Sequence, residues 1–334
     1  MSPDVEAVAG ARRWLAGRAR WRWWEIAFWL AAAASFVLLP SRHLILAEIA
    51  ILGLFALSLD LLLGYVGIVS LGHAAFFGVG AYAAGLMAKH VGGEPLLGFA
   101  VAVFAAATVG LATSFLVLRG ADLTRLMVTL GVAMLLGEAA NQWSSLTGGA
   151  DGLQGMTVAP LLGLFEFDLF GRTAYGYALV VLFLCFLIAR RIVNSPYGLS
   201  LRAIRDNPLR AAALGIAVDR RIVGVYTLAA AMAGAAGALL AQTTAFVSLD
   251  VFDFNRSADV LLVLVIGGAG YLYGGLIGAV FFKIAADLLS AQTPQYWHFW
   301  IGLILVVLVL AGRDRLGERL SALARRARLT GGAP

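Results

Sequence analysis

Ten apolar runs follow one another along this chain, near residues 24–40, 44–63, 73–89, 96–118, 124–143, 173–190, 222–246, 257–268, 276–290 and 297–311. A helix that crosses a bilayer needs about 20 mostly apolar residues. It must also satisfy its own backbone N–H and C=O groups once water is excluded. Several of the runs reach that length, and others are short or interrupted by glycine. A large water-soluble core could absorb apolar residues, but it does not arrange them this way. The chain is 61% hydrophobic and 13% charged, whereas soluble domains carry about 25% charged residues. The expected fold class is all-α: a polytopic membrane helix bundle of about 8–10 transmembrane helices, some of them broken at glycine.

Charge placement sets the expected orientation. With the N-terminus inside, the segments 1–23, 119–125, 190–221 and 312–334 are cytoplasmic and hold 20 of the 25 basic residues. The outside segments hold only Arg42, Lys89, Arg172 and Arg256, alongside Glu94, Asp151, Glu166, Asp168, Asp250 and Asp253. That asymmetry follows the positive-inside rule with both termini cytoplasmic. The expected organisation is a basic N-terminal segment 1–23, a transmembrane domain 24–311 with a long inside loop 191–221, and a C-terminal tail 312–334. Trp21, Trp23, Trp24 and Trp29 fall where an interfacial aromatic belt belongs. The run Ile26 to Leu39 lacks a persuasive small-residue cleavage site, so it reads as an uncleaved signal-anchor and first span. Because the basic residues are topology determinants, the net charge of +6 does not mark a nucleic-acid partner.

Catalytic chemistry finds little to work with. Cys185, the one cysteine, lies inside an apolar run and reads as a packing residue. His43, His73, His90 and His298 show no metal-ligand spacing, so neither a metal site nor a catalytic residue is expected. Neither lysine, Lys89 nor Lys283, fits a phosphate-cradling GxxxxGK[ST] loop. Energy for transport must therefore come from a partner or from an ion gradient. An ion-coupled carrier using Glu138, Asp259 or Asp287 is one alternative, since ionisable groups in membrane spans are functional candidates. Lys283 and Asp287, four residues apart, read as a structural pair on one helix face. A membrane-embedded enzyme is a further alternative, but no spaced His, Cys or carboxylate constellation supports it.

Two glycine-rich breaks stand out. The first is Gly64-Tyr65-Val66-Gly67-Ile68-Val69-Ser70-Leu71-Gly72-His73, continuing through Phe76 to Tyr82. The second is Gly267-Gly268-Ala269-Gly270-Tyr271-Leu272-Tyr273-Gly274-Gly275. Irregular backbone at membrane depth is tolerated where protein or a water-filled cavity satisfies it. Paired breaks in corresponding halves point to a translocation path and hint at an internal repeat. Ser70, Gly72, His73, Phe76, Gly267, Gly268 and Gly270 are the candidate path residues, and Gly234, Gly237, Ala230 and Ala238 read as plain helix packing. The outside loop 144–172 carries the turn sequence Thr147-Gly148-Gly149-Ala150-Asp151-Gly152-Leu153. In the inside loop, Leu199 to Ile216 alternates Arg with Ala and Leu and predicts a short amphipathic helix.

Together these stretches resemble the LivM branch of branched-chain amino acid ABC permeases. The resemblance rests on Gly64 to Tyr82, on Thr147 to Leu153 and on Val265 to Ala279. It also rests on Ser195-Pro196-Tyr197-Gly198-Leu199-Ser200-Leu201-Arg202-Ala203-Ile204-Arg205-Asp206-Asn207 with Ala211 to Ile216. These stretches, in order, cover about 40–320. The resemblance implies an ATP-binding cassette importer of the bacterial inner membrane. Its parts would be this subunit, a sister permease, two ATP-binding subunits and a periplasmic solute-binding protein, with ATP and Mg held on the partners. Arg202, Arg205, Asp206, Ala211, Ala212, Leu214 and Gly215 would then contact the ATPase as a coupling loop. The implied cargo is leucine, isoleucine and valine; urea, short amides, other amino acids or small organic acids remain alternatives. Pro208 and Arg210 depart from the family pattern and leave open which ATPase pairs with the loop.

Overall fold

The computed structural model describes residues 17, 20–118, 120 and 122–311. Most of the basic segment 1–23 and all of the tail 312–334 lie outside the described residues. All ten apolar runs form helices: α1 (Trp23–Leu38), α2 (His43–Leu63), α3 (Ala74–His90), α4 (Pro95–Leu118) and α5 (Asp122–Gln142), then α6 (Arg172–Val193). Two short helices fill the loop 191–221, α7 (Pro196–Asp206) and α8 (Pro208–Ala213). The remainder are α9 (Val218–Thr244), α10 (Phe254–Gly267), α11 (Leu272–Gln292) and α12 (Trp297–Ala311). Among the described residues six helices are long and apolar enough to cross a membrane. Among the described residues the only β pairing is two isolated bridges. The chain is a polytopic all-α membrane protein.

The inside loop departs from expectation in one respect: the sequence predicts one amphipathic helix, and the structure has two. Pro208 has no N–H to give and pushes the preceding residue out of the helical region. Asn207 accordingly sits extended at φ −163° and ψ 105° and caps α8, its side chain accepting from Arg210 N at 2.9 Å. Ser195 caps α7 in the same way, with Pro196 at its first position. Gly215 then ends α8 in the left-handed region, φ +81°. Its N–H bonds Ala212 O, and Ile216 N–H bonds Ala211 O. This is a Schellman ending that glycine adopts without steric cost.

The described residues up to Val280 form one compact unit. At its centre α9 packs on α4, α3 and α2, while α2 also packs on α6. Small residues make the α3–α9 approach possible. A Cβ on Gly80 would lie 2.2 Å from Gly234 O, and one on Gly237 would lie 1.9 Å from Phe77 O. Gly234 and Gly237 are thus the packing residues that the sequence implies. In lipid this close backbone approach takes over from the hydrophobic effect as the source of helix association. The turn Thr147 to Leu153 closes on the end of α9: Leu153 and Val247 exchange two backbone hydrogen bonds, and Leu153 is fully buried.

One buried ion pair pins α1. Arg190 Nη1 lies 2.6 Å from Glu25 Oε2, with the two side chains 9% and 10% exposed. The guanidinium also donates to Arg20 O and lies over the Trp21 ring. Removing one partner of such a pair strands a buried charge, at a cost of about 3–5 kcal/mol. Arg190→Met is therefore expected to lower the thermal unfolding midpoint in detergent markedly. The double variant Arg190→Met with Glu25→Leu should recover much of the loss. An unaltered midpoint in the single variant would contradict this role.

The second unit begins at Phe281. Within it Lys283 Nζ and Asp287 Oδ1 are 3.4 Å apart, the i, i+4 pair that the spacing implies.

Candidate functional site

The first glycine break begins where α2 runs out. The last carbonyls of a helix have no intrahelical donor and carry its negative dipole end. Here a cation meets them: Arg205 of α7 donates from Nη1 to Gly64 O, 141 residues away in sequence. Asp60, one turn back on α2 and fully buried, accepts at Oδ1 from the backbone N–H of Gly270 at 2.7 Å. Arg205 is also an electrostatic partner of Asp60. One junction therefore holds the end of α2, the second glycine break and α7.

Glycine is required at this junction for want of space. A Cβ on Gly64 would stand 2.2 Å from Asp60 Oδ1 and 2.3 Å from Gly270 N. Gly67, at φ +80°, turns the chain beneath the Arg205 side chain, whose Cγ is 3.1 Å from where a Cβ would be. Arg202, one turn earlier on α7, lies 5.2 Å over the Tyr65 ring. Tyr197, at the start of α7, donates its hydroxyl to Arg221 O at 2.9 Å and carries the Arg221 guanidinium over its ring. Burial raises the Tyr197 phenol pKa, and the Arg221 charge opposes that shift. Helix α7 is thus fastened at both ends, to the break and to the base of α9.

Beyond the junction the break turns inward against α5. Gly72 packs on that helix so closely that a Cβ would fall 1.8 Å from Thr129 O. His73 is completely buried. Its Nε2 is 2.8 Å from Ser58 Oγ, and its ring stacks on Phe55 at 5.4 Å. Ser58 Oγ in turn donates to Phe55 O, which fits a Nε2–H donor on His73. Phe76 is buried between the His73 and Tyr226 rings. Ser70 is buried as well. The first orphan N–H of α3, on Ala74, is met by Ser257 Oγ of α10 at 2.9 Å. A helix start is thereby capped from a residue 183 positions away.

The second break makes a hairpin. A Cβ on Gly267 would meet Gly274 O at 1.8 Å, and one on Gly278 would meet Val263 O at 2.1 Å. These glycines let α10 and the start of α11 touch backbone to backbone. Gly268 and Gly270 take positive φ at the turn between them.

The candidate residues therefore fall into three places. Ser70, Gly72, His73 and Phe76 form a packed inner layer. Gly267, Gly268 and Gly270 form the hairpin whose tip joins the junction. Of the coupling residues, Arg205 reaches the junction, Arg202 reaches Tyr65, and Ala211 is buried. Asp206, Ala212, Leu214 and Gly215 are exposed. Leu209 and Leu214 stand 84% and 74% exposed on the α8 elbow. Asp60, a carboxylate inside an apolar run and so one of the ionisable candidates that the sequence offers, completes the arrangement with Ser58, Thr129 and Ser257, which no sequence signal marks. Among the described residues no group of His, Cys, Asp and Glu could hold a metal ion.

Comparison with known proteins places these features in a family. The family profile described as "Branched-chain amino acid transport system / permease component" matches residues 41–310. The chain is 27% identical over 282 residues to the high-affinity branched-chain amino acid transport system permease protein LivM of Escherichia coli (strain K12). That stretch is 77% of this chain and 65% of LivM. It is 25% identical over 270 residues to the LivH permease protein of Salmonella typhimurium, covering 77% of this chain and 87% of LivH. Autoinducer 2 import system permease protein LsrC of Enterobacter sp. (strain 638) is 31% identical over 223 residues, 64% of this chain and 63% of LsrC. The chain spans less than two thirds of the length of the LivM relatives it matches. No solved structure matches it.

Proposed function

Because this chain belongs to the family of branched-chain amino acid transport system permease components, we propose that it is the membrane-spanning permease subunit of an ATP-binding cassette importer. It forms half of a translocation path with a sister permease in the bacterial inner membrane, both termini facing the cytoplasm. Two separate ATP-binding subunits hydrolyse ATP, and a periplasmic solute-binding protein delivers the cargo. The cargo is leucine, isoleucine, valine or a related small solute.

The observation that carries this reading is the junction at Arg205. An ATPase moving beneath the membrane needs a rigid element to push and a bistable element to be pushed. The α7–α8 elbow supplies the first: it is capped at Ser195 and Asn207, stiffened by two prolines, and presents Leu209 and Leu214 outward. Apolar side chains that stand alone on a basic loop suit a groove on a partner. The second element is the Gly64–His73 break, which hangs from Arg205 through the Gly64 carbonyl. A displacement of the elbow therefore reaches the break through the Arg205 hydrogen bond, with Arg202 over the Tyr65 ring beside it.

The rival mechanism, an ion-coupled carrier, rests on Glu138, Asp259 or Asp287. Glu138 accepts from Gln142 at 2.6 Å and Asp287 pairs with Lys283. The test is energetic. In liposomes holding the assembled transporter, solute uptake is expected to require enclosed ATP, and a proton or sodium gradient without nucleotide should drive none. Gradient-driven uptake with no ATPase present would overturn the reading.

A further inference from the structure

One cavity is used by neither the junction nor the packed inner layer. It has a volume of about 560 Å³ and lies between the outer half of α5 and the segment 249–254. That size is typical of small-molecule sites. Leu130, Met134, Glu138 and Asn141, spaced four, four and three apart, line it from a single face of α5; Phe252 and Asp253 close the other side. Little of α5 is buried within this chain. A carboxylate and a carboxamide on such a helix do not face lipid, where ionisable groups are expensive. They belong against water or solute.

The chemistry of the lining is one-sided. It offers two carboxylates and an amide above an apolar floor, and no Lys, Arg or His; Glu138 Oε1 also accepts from Gln142 Nε2 at 2.6 Å. Asp253 precedes α10 yet its side chain makes no capping bond, so its carboxylate is not spent on the helix. A solute with an amino or amide donor and an apolar body satisfies both halves of the cavity. A simple carboxylic acid of the same shape would meet like charge and no counter-ion.

We propose that this cavity is a solute subsite on the outward side of the path, and that it selects solutes bearing an amino or amide donor over small organic acids. This rests on the permease reading above and narrows its substrate class.

The test uses cells expressing the complete transporter with Cys185→Ala, which leaves no native thiol in this chain, plus Asn141→Cys or, independently, Met134→Cys. Each is labelled with trimethylammonioethyl or sulfonatoethyl methanethiosulfonate, normalised to the rates of the two reagents with a free thiol. The cationic reagent is expected to react about tenfold faster, since each nearby carboxylate attracts one reagent and repels the other. Glu138→Gln with Asp253→Asn should erase that preference. Excess leucine should slow labelling, whereas isocaproate, its skeleton without the amine, should not. No reaction at either position, a preference indifferent to the two carboxylates, or equal protection by both solutes would each overturn the proposal. Failure of the permease reading would look different: uptake by the wild type without ATP, with the labelling preference intact.

Discussion

Replacing Gly64 with alanine is expected to abolish solute uptake while leaving the protein inserted in the membrane. The added methyl would lie 2.2 Å from Asp60 Oδ1 and 2.3 Å from Gly270 N. The carboxylate could rotate away, but Gly270 meets the methyl with backbone. Either the Asp60–Gly270 hydrogen bond breaks or the two segments part. A hydrogen bond contributes about 0.5–1.5 kcal/mol, and leaving one of its buried partners unpaired costs about 1–3 kcal/mol. Conformations that a transporter must interconvert differ by only a few kcal/mol. The substitution is therefore large enough to hold the break in one state. Uptake in cells with matched membrane levels of each variant measures this directly. Wild-type rates in Gly64→Ala would mean that the junction is slack.

Gly72→Ala is the second large effect, and it acts on the opposite side of the break. Its methyl would fall 1.8 Å from Thr129 O and 2.4 Å from the carbonyl carbon. No side chain in the way can swing aside, so α5 must move bodily. Overpacking of this kind costs about 1–3 kcal/mol and sometimes more. A lower unfolding midpoint is expected, together with a loss of uptake of about fivefold to a hundredfold where the strain falls on one of the interconverting conformations, since each 1.4 kcal/mol is a factor of ten. His73→Ala makes a useful contrast. It removes the stacked ring and the Ser58 bond but leaves the backbone contact with α5 free to persist. Uptake should therefore suffer less than in Gly72→Ala; the reverse ranking would place the sensitive element at the ring instead of the backbone.

Much of this architecture was legible in the sequence because lipid imposes a coarse grammar. Each apolar run became a helix, and the turn Thr147 to Leu153 and the pair Lys283–Asp287 could be read from local spacing alone. Local rules also contained the elbow at Asn207-Pro208. The alternation of Arg with Ala and Leu runs through it, however, and periodicity does not register a missing N–H. The junction was beyond reach for a different reason. Asp60 meets Gly270 across 210 residues, and Ala74 is capped by Ser257 across 183. No local pattern encodes either contact. The glycines marked where backbones come close without marking what they approach. The sequence marks Gly72 and Gly267 as path residues, and the structure supplies what each approaches: Thr129 for Gly72 and Gly274 for Gly267.

The most direct test of the central claim is the rate of ATP hydrolysis by the reconstituted transporter, measured with and without solute-loaded binding protein. In Arg205→Ala the basal rate should persist and the stimulation by loaded binding protein should vanish, because the elbow no longer grips the end of α2. Arg205→Lys keeps the charge but loses the planar fork, and should restore only part of the response. Full stimulation in Arg205→Ala would contradict the account.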